Sequence, residues 1–162
     1  MQPNCGTPSC AIAYVRQQKA KADRKAHQEQ RRKLKRRQDV MKEAQAAFNA
    51  YVRKRDENLP CISCERPASW PGQWHASHYR PAGKCAELRF DESNVHKACA
   101  ECNAHKSGNL IEYRKGLVMR IGEDEVQRLE QTYEPRRWSK EELEAIKTEY
   151  RRKLRELERE AA

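Results

Sequence analysis

Four cysteines stand in two pairs in the middle of the chain, and each pair has the spacing of a metal-binding knuckle. Cys61 and Cys64 form the first C-x-x-C pair, and Cys99 and Cys102 form the second, with 34 residues between the pairs. Two such knuckles can supply the four thiolates of one tetrahedral zinc site. Because a site with four thiolates has no open position for water, we expect this zinc to be structural and not catalytic.

The same segment carries histidines and asparagines that a four-cysteine site does not need. His78 lies in a predicted strand, Asn94 stands five residues before Cys99, and Asn103 follows Cys102 directly. Hydrolysis of a phosphodiester needs a base for the attacking water, and a neutral histidine is a good base at neutral pH. Asn and His can also hold a hard or borderline cation that keeps most of its waters. These residue types are therefore compatible with metal-dependent hydrolysis.

The order of these residues resembles the HNH endonuclease motif in its zinc-stapled form: His78, Asn94, Cys99, Cys102, Asn103 and Lys106. That resemblance implies the ββα-metal fold, in which two strands and a helix surround one divalent ion, Mg²⁺ or Mn²⁺. It implies that His78 is the general base and that Asn94 braces the loop that orients His78. It also implies that Asn103 is a metal ligand and that Lys106 faces phosphate.

The chain departs from the HNH pattern at one position. The family usually has Asp or His just before the base as a second metal ligand, and this chain has Ser77 there. His75 lies on the same face of the predicted strand as Ser77 and is our candidate for the missing ligand, with a structural role as its alternative. We expect His105 to contact phosphate or to support the zinc knuckle. His96 falls between the motif residues, where we expect it to be buried or to support the site.

Longer stretches resemble the NinG (Rap) recombination proteins of lambdoid phages. They are QWHASHYR, then LRF…NVHKACAECNAHKSGNL, and then a tail that runs from Arg136-Arg137-Trp138 to Tyr150. The resemblance implies a structure-specific endonuclease that cuts branched recombination intermediates, D-loops and Holliday junctions, in the cytoplasm of the bacterial host of a phage. The alternative is a zinc-ribbon DNA-binding or recombination-accessory protein without chemistry, and Ser77 in the ligand position favours that alternative.

The charge of the chain favours a polyanionic partner. Among 162 residues, 34 Lys and Arg face 24 Asp and Glu, which gives a formal net charge of +10. A mean hydropathy of −1.16 excludes a large core along the full length. Such a balance suits nucleic acid better than an anionic membrane, and its alternative is that the charge only keeps long helices soluble. No stretch resembles a signal peptide or a membrane span, so we predict no membrane association.

The composition divides the chain into three parts. Residues 1–10 form a tail with Cys5 and Cys10, which is either a remnant of a zinc finger or a segment with two free thiols. Residues 11–39 form a basic helical arm that is either solvated or lies along a phosphate backbone. Residues 40–162 form the HNH-like domain, with a core at 61–108.

We therefore predict an α+β fold that is mostly helical, with a small zinc-stapled ββα-metal core between a long basic N-terminal helix and C-terminal helices. The apolar spacing predicts a helix from Val40 to the stop at Asn58-Leu59-Pro60. The final helix begins at a capping box, and its apolar positions either pack on the protein's own core or form a coiled-coil homodimer. The other predicted elements are strands Gln73–Tyr79 and Leu88–Phe90 and helices Cys99–Gly108, Leu110–Ile121 and Glu123–Tyr133.

Overall fold

The structure, a computed structural model, describes residues 8–34 and 36–161. The tail that contains Cys5 lies mostly outside these residues. The described part of the chain contains five α-helices and a two-stranded sheet, and it divides after Asp39 into two compact units. In chain order the elements are α1 (Pro8–Leu34), α2 (Arg37–Arg55), β1 (Trp74–His78), β2 (Val95–Cys99), α3 (Leu110–Ile121), α4 (Glu123–Glu130) and α5 (Lys140–Glu160).

The first unit carries most of the excess charge. Residues 1–39 hold eleven Lys and Arg against three Asp and Glu, a formal +8 of the chain's +10. The described side chains of α1 are exposed at almost every position. Because its apolar residues are mostly alanines, α1 has no wide face that packing could bury.

In the second unit, α2 and α5 share one hydrophobic cluster. Phe48 of α2 and Tyr150 of α5 meet edge to face, with ring centroids 4.7 Å apart. Val40 and Val52 of α2 and Leu143 of α5 are fully buried in the same cluster. The apolar positions of α5 therefore pack on the protein's own core, which is the first of the two alternatives given above.

The start of α5 has the predicted capping box. The Ser139 hydroxyl accepts a hydrogen bond from the Glu142 backbone N–H, and the Glu142 carboxylate accepts one from the Ser139 backbone N–H. Trp138 and Leu143, on either side of this box, are both buried in the α2–α5 cluster. The capping residues thus fix where the helix begins, and the flanking apolar pair fixes how it enters the core.

A second cluster surrounds the sheet and the cysteines. Strands β1 and β2 are antiparallel, with Trp74 opposite Cys99 and His78 opposite Val95. Buried residues of the first knuckle, of β2 and of α3 and α4 form the cluster, which includes Ile62, Ala98, Leu117, Val126 and Leu129. Among the described residues, no helix is long and apolar enough to cross a membrane.

Two predicted elements are wrong. Leu88–Phe90 is not a strand but part of the 3₁₀ helix Ala86–Phe90, whose buried Leu88 and Phe90 imitate strand alternation. The strand that pairs with β1 is Val95–Cys99, and all five of its residues are buried, so it shows no alternation to recognise. Cys99 therefore ends a strand and does not begin a helix, and the helical segment after it is one π-helical turn at Glu101–His105.

Candidate functional site

The four cysteines of the two knuckles form one compact cluster. The Sγ atoms of Cys61, Cys64, Cys99 and Cys102 all lie within 4.8 Å of one another, and three of these residues are buried. Sγ of Cys64 and Sγ of Cys99 are 3.8 Å apart. A tetrahedral zinc ion with Zn–S bonds of about 2.3 Å has an S–S separation of about 3.8 Å. The cluster is therefore positioned to bind a metal ion, and its donor set and spacing fit structural zinc.

Backbone hydrogen bonds hold the first knuckle in the shape that such a site needs. The Cys99 backbone N–H donates to Sγ of Cys61 over 3.3 Å, and the Ile62 N–H donates to the Lys97 carbonyl over 3.1 Å. Burial would raise the pKa of the Cys61 thiol, but hydrogen bonds from backbone N–H groups outweigh it and lower that pKa. These N–H groups thus stabilise the Cys61 thiolate, the form that binds metal, whereas burial raises the pKa of Cys64 in the same knuckle. Cys85 lies outside the cluster.

Helix α3 approaches the first knuckle so closely that only glycine fits at the contact. A Cβ atom on Gly116 would lie 2.1 Å from the carbonyl oxygen of Ile62. We expect Gly116→Ala to lower the free energy of unfolding by about 1–3 kcal/mol, because the knuckle backbone must move to admit the methyl group. Thermal denaturation checks this result. Gly83→Ala is the matched control, since nothing lies within 4 Å of the Cβ position at Gly83, and equal midpoints for the two variants would contradict the prediction.

His75 and Asn103, the two candidate ligands of a catalytic ion, are in contact with each other. Nδ2 of Asn103, in the π-helical turn, lies 2.9 Å from Nδ1 of His75 in β1. Neighbouring ligands of an octahedral ion with bonds of about 2.1 Å are separated by about 3.0 Å, so this spacing suits such an ion. As it stands, the amide nitrogen donates to the ring, and a half-turn of the amide would present its oxygen instead. In the structure the two side chains are bonded to each other, and their role as ligands of a divalent cation stays a prediction.

Ser77 is buried, and by strand alternation it lies on the same face of β1 as His75. Its side chain is 1% exposed, and its hydroxyl has no hydrogen-bond partner among the described residues. Its carbonyl accepts a hydrogen bond of 2.7 Å from the Tyr113 hydroxyl, which in turn accepts one of 3.0 Å from the His96 backbone N–H. Tyr113 thus bridges the two strands, and the position that holds a ligand in HNH enzymes carries an unsatisfied hydroxyl.

His78 is the last residue of β1, and one of its two ring nitrogens forms a hydrogen bond. Its Nε2 lies 3.0 Å from the carbonyl oxygen of Arg89. Because a carbonyl can only accept, Nε2 carries the proton and Nδ1 keeps a free lone pair. Burial lowers the pKa of His78, and this effect outweighs the contribution of the carbonyl, which raises it. His78 is therefore neutral near pH 7, as a general base must be. By strand alternation it lies on the opposite face from His75 and Ser77.

Asn94 braces the loop that follows His78. It is fully buried, its Oδ1 accepts from the Arg80 N–H over 2.8 Å, and its Nδ2 donates to the carbonyls of Arg80 and Leu88. The Asn94 amide thus ties Arg80, which follows β1, to Leu88. The next residue, Arg89, provides the carbonyl that contacts the His78 ring. These bonds fix the two ends of the loop, and the orienting role that the motif implies for Asn94 stays a prediction.

Lys106 and His105 lie at the exposed end of the π-helical turn. Nζ of Lys106 is 2.9 Å from a carboxylate oxygen of Glu101, whose other oxygen pairs with Arg66 over 2.8 Å. The Lys106 charge is therefore compensated within the turn. His105 is exposed to solvent. The structure brings neither residue into the contact between His75 and Asn103.

His96 belongs to a buried ionic cluster that the sequence did not predict. Arg55 donates to its Nδ1 over 3.2 Å, and its Nε2 contacts the Ser93 carbonyl. Burial raises the pKa of the neighbouring Asp56, but its hydrogen bonds, which include those from Arg55 and the Lys97 N–H, outweigh this effect and lower that pKa. His96 is thus buried, as expected, in a cluster that ties α2 to β2. Asp56 stands where the sequence shows only a helix end, so no local signal marked it.

Comparisons with known proteins point to one family. A family model described as "Bacteriophage Lambda NinG protein" matches residues 11–160. Curated relatives named "Protein ninG" are similar over 124 residues, 76% of this chain: 49% identical in Escherichia phage lambda, 50% in Salmonella phage P22 and 49% in Escherichia phage 933W. The match covers 60%, 60% and 61% of those relatives, so the chain spans about three fifths of their length. No solved structure matches the chain.

Proposed function

Because this chain belongs to the NinG family of phage proteins, we propose that it is a metal-dependent DNA endonuclease that acts on branched recombination intermediates. D-loops and Holliday junctions are the proposed substrates. The observation that carries the proposal is the contact between Asn103 and His75, together with His78, which is held neutral and oriented at the end of the same strand, on the other strand face from His75. A protein that only binds DNA needs none of these three side chains.

The residues of the chain divide the proposed chemistry between them. Nδ1 of His78 takes a proton from the attacking water, while Nε2 stays bonded to the Arg89 carbonyl. Asn94 keeps the loop, and with it the ring, in this orientation. Asn103 and His75 would hold Mg²⁺ or Mn²⁺, which supplies charge stabilisation for the phosphate and the leaving oxygen. The four cysteines hold zinc and take no part in the reaction.

Helix α1 supplies the proposed grip on DNA. Residues 1–39, which include α1, carry +8 of the formal net charge of +10, and the described side chains of α1 are exposed at almost every position. A one-signed, solvated helix of this kind suits the phosphate backbone. The cytoplasm of a bacterial host is the proposed place of action. A homodimer, which would allow paired cuts in a symmetric junction, is a further proposal that sedimentation analysis would test.

Cleavage of four substrates side by side tests the function. We expect cuts in a Holliday junction, a D-loop and a flap with Mg²⁺ or Mn²⁺, and fewer cuts in a linear duplex. Binding should weaken steeply between about 50 and 200 mM salt, because release of counterions drives it.

The rival function is DNA binding without chemistry. Ser77, with its unsatisfied hydroxyl in the place of a ligand, favours that rival. If zinc-loaded protein binds branched DNA but never cuts it with either ion, the rival is correct and the endonuclease proposal fails.

A further inference from the structure

The loop that follows the proposed base carries three cations. We call residues 80–89 the cationic loop, and its cations are Arg80, Lys84 and Arg89. The acid within the loop, Glu87, is paired with Arg136 at 2.7 Å and does not compensate them. The loop therefore carries an excess of positive charge directly after β1.

The charges of the loop differ from those of the many ion-paired cations in the same unit. Among the residues that the structure describes, Arg80, Lys84 and Arg89 form no ion pair with a carboxylate. Elsewhere arginines commonly bridge two carboxylates each: Arg114 with Glu123 and Glu130, Arg128 with Asp91 and Glu125, and Arg152 with Glu149 and Glu156. The loop thus departs from the pattern by which this unit neutralises its own charge.

Neutral acceptors hold the two arginines in place, and the nearest carboxylate to interact with Arg80, that of Glu130, is paired with Arg114. Arg89 donates to Oε1 of Gln45 and to the Ala82 carbonyl, each over 3.1 Å, and its Nε has no partner. Arg80 donates to the Glu130 carbonyl over 3.5 Å and to Sγ of Cys85 over 3.6 Å. Guanidinium groups held in this way are ordered before an anion arrives, so binding an anion costs little further ordering.

The brace at Asn94 fixes the loop next to His78. Its side chain bonds to Arg80 at one end of the loop and to Leu88 near the other. The carbonyl of Arg89 contacts the His78 ring. A polyanion that crosses the loop would therefore pass beside the proposed base.

We infer that the cationic loop binds the phosphate backbone of DNA next to the bond that is cut. The inference rests on the proposed function, because it gives His78 a substrate whose charge matches the loop. Repeated single negative charges of a nucleic-acid backbone suit three separated cations, and arginine suits phosphate oxygens in particular. The loop would position the DNA and would take no proton.

Three charge-removing variants test the inference: Arg80→Gln, Lys84→Gln and Arg89→Gln. Arg151→Gln is the matched control, because Arg151 is exposed on α5 and loses the same charge. Binding of a labelled branched DNA is measured by fluorescence anisotropy from low to high salt, without added divalent ions. Each loop variant should bind more weakly than wild type, with a salt slope that is smaller by about 0.9, whereas the control should match wild type.

The Lys84 variant distinguishes a loss of DNA binding from a loss of stability. Lys84 is exposed, and its side chain forms no hydrogen bond or ion pair with the residues that the structure describes. Lys84→Gln therefore still tests the inference if Arg89→Gln lowers the unfolding midpoint. The inference is overturned if Lys84→Gln and Arg80→Gln bind with the affinity and salt slope of Arg151→Gln. If the slopes fall as expected but wild-type protein never cuts DNA, the loop binds backbone and the endonuclease proposal alone fails.

Discussion

Replacement of His78 by alanine is expected to abolish cleavage of branched DNA while DNA binding persists. A positioned general base contributes about 10²–10⁴-fold to a hydrolysis rate, so cleavage by His78→Ala should fall by that factor. Binding should persist because the charges assigned to DNA contact lie elsewhere, in α1 and in the cationic loop. Single-turnover cleavage and anisotropy on the same junction separate the two effects.

Two further measurements distinguish a base from a structural histidine. Added imidazole should restore part of the cleavage by His78→Ala, since it can enter the space of the lost ring, and it cannot restore a misfolded loop. In wild type, the base must be neutral to act, and burial lowers its pKa. The rate should therefore rise with pH, with an inflection below the ordinary histidine pKa of about 6.5. An inflection above that value, or His78→Ala cleavage equal to wild type, would remove His78 from the reaction.

The sequence predicted those features that rest on local spacing. The two C-x-x-C knuckles predicted a single cluster, and the Sγ atoms of Cys64 and Cys99 indeed lie 3.8 Å apart. The helix predicted at Leu110–Ile121 is α3, and the predicted capping box marks the start of α5. In each case the physical cause lies within a few residues of the position it determines.

Features that depend on tertiary contacts were not predictable in the same way. Strand β2 has no alternation because both of its faces are buried, and Asp56 is recognisable only from the groups that surround it. The sequence named His75 as the replacement ligand because it shares a strand face with Ser77. The contact with Asn103 required the register of β1 on β2 and the turn after Cys99, which no local pattern encodes.

Removal of the metal from the four-cysteine cluster is expected to unfold the centre of the second unit. Cys61, Cys99 and Cys102 lie within the same buried cluster as Ile62 and Leu117, so a metal ion held by them would cross-link the core itself. Structural zinc contributes on the order of 10 kcal/mol to folding in zinc-finger peptides, comparable with the whole stability of a typical domain. Both a strong chelator and Cys99→Ser should therefore abolish the cooperative unfolding transition, monitored by tryptophan fluorescence under reducing conditions.

Cys85→Ser supplies the control that makes this result specific to the cluster. Cys85 is also a free cysteine of the core segment, but it stands outside the group of four. Its variant should keep one bound zinc and the wild-type unfolding midpoint, whereas Cys99→Ser should lose both. Cys99→Ser should also lose cleavage activity, because β1 and the π-helical turn, which carry His78 and Asn103, depend on the cluster for their mutual position. The helical structure of α1 should not change. A metal-free protein with an unchanged transition would mean that packing alone holds the two strands and the turn together.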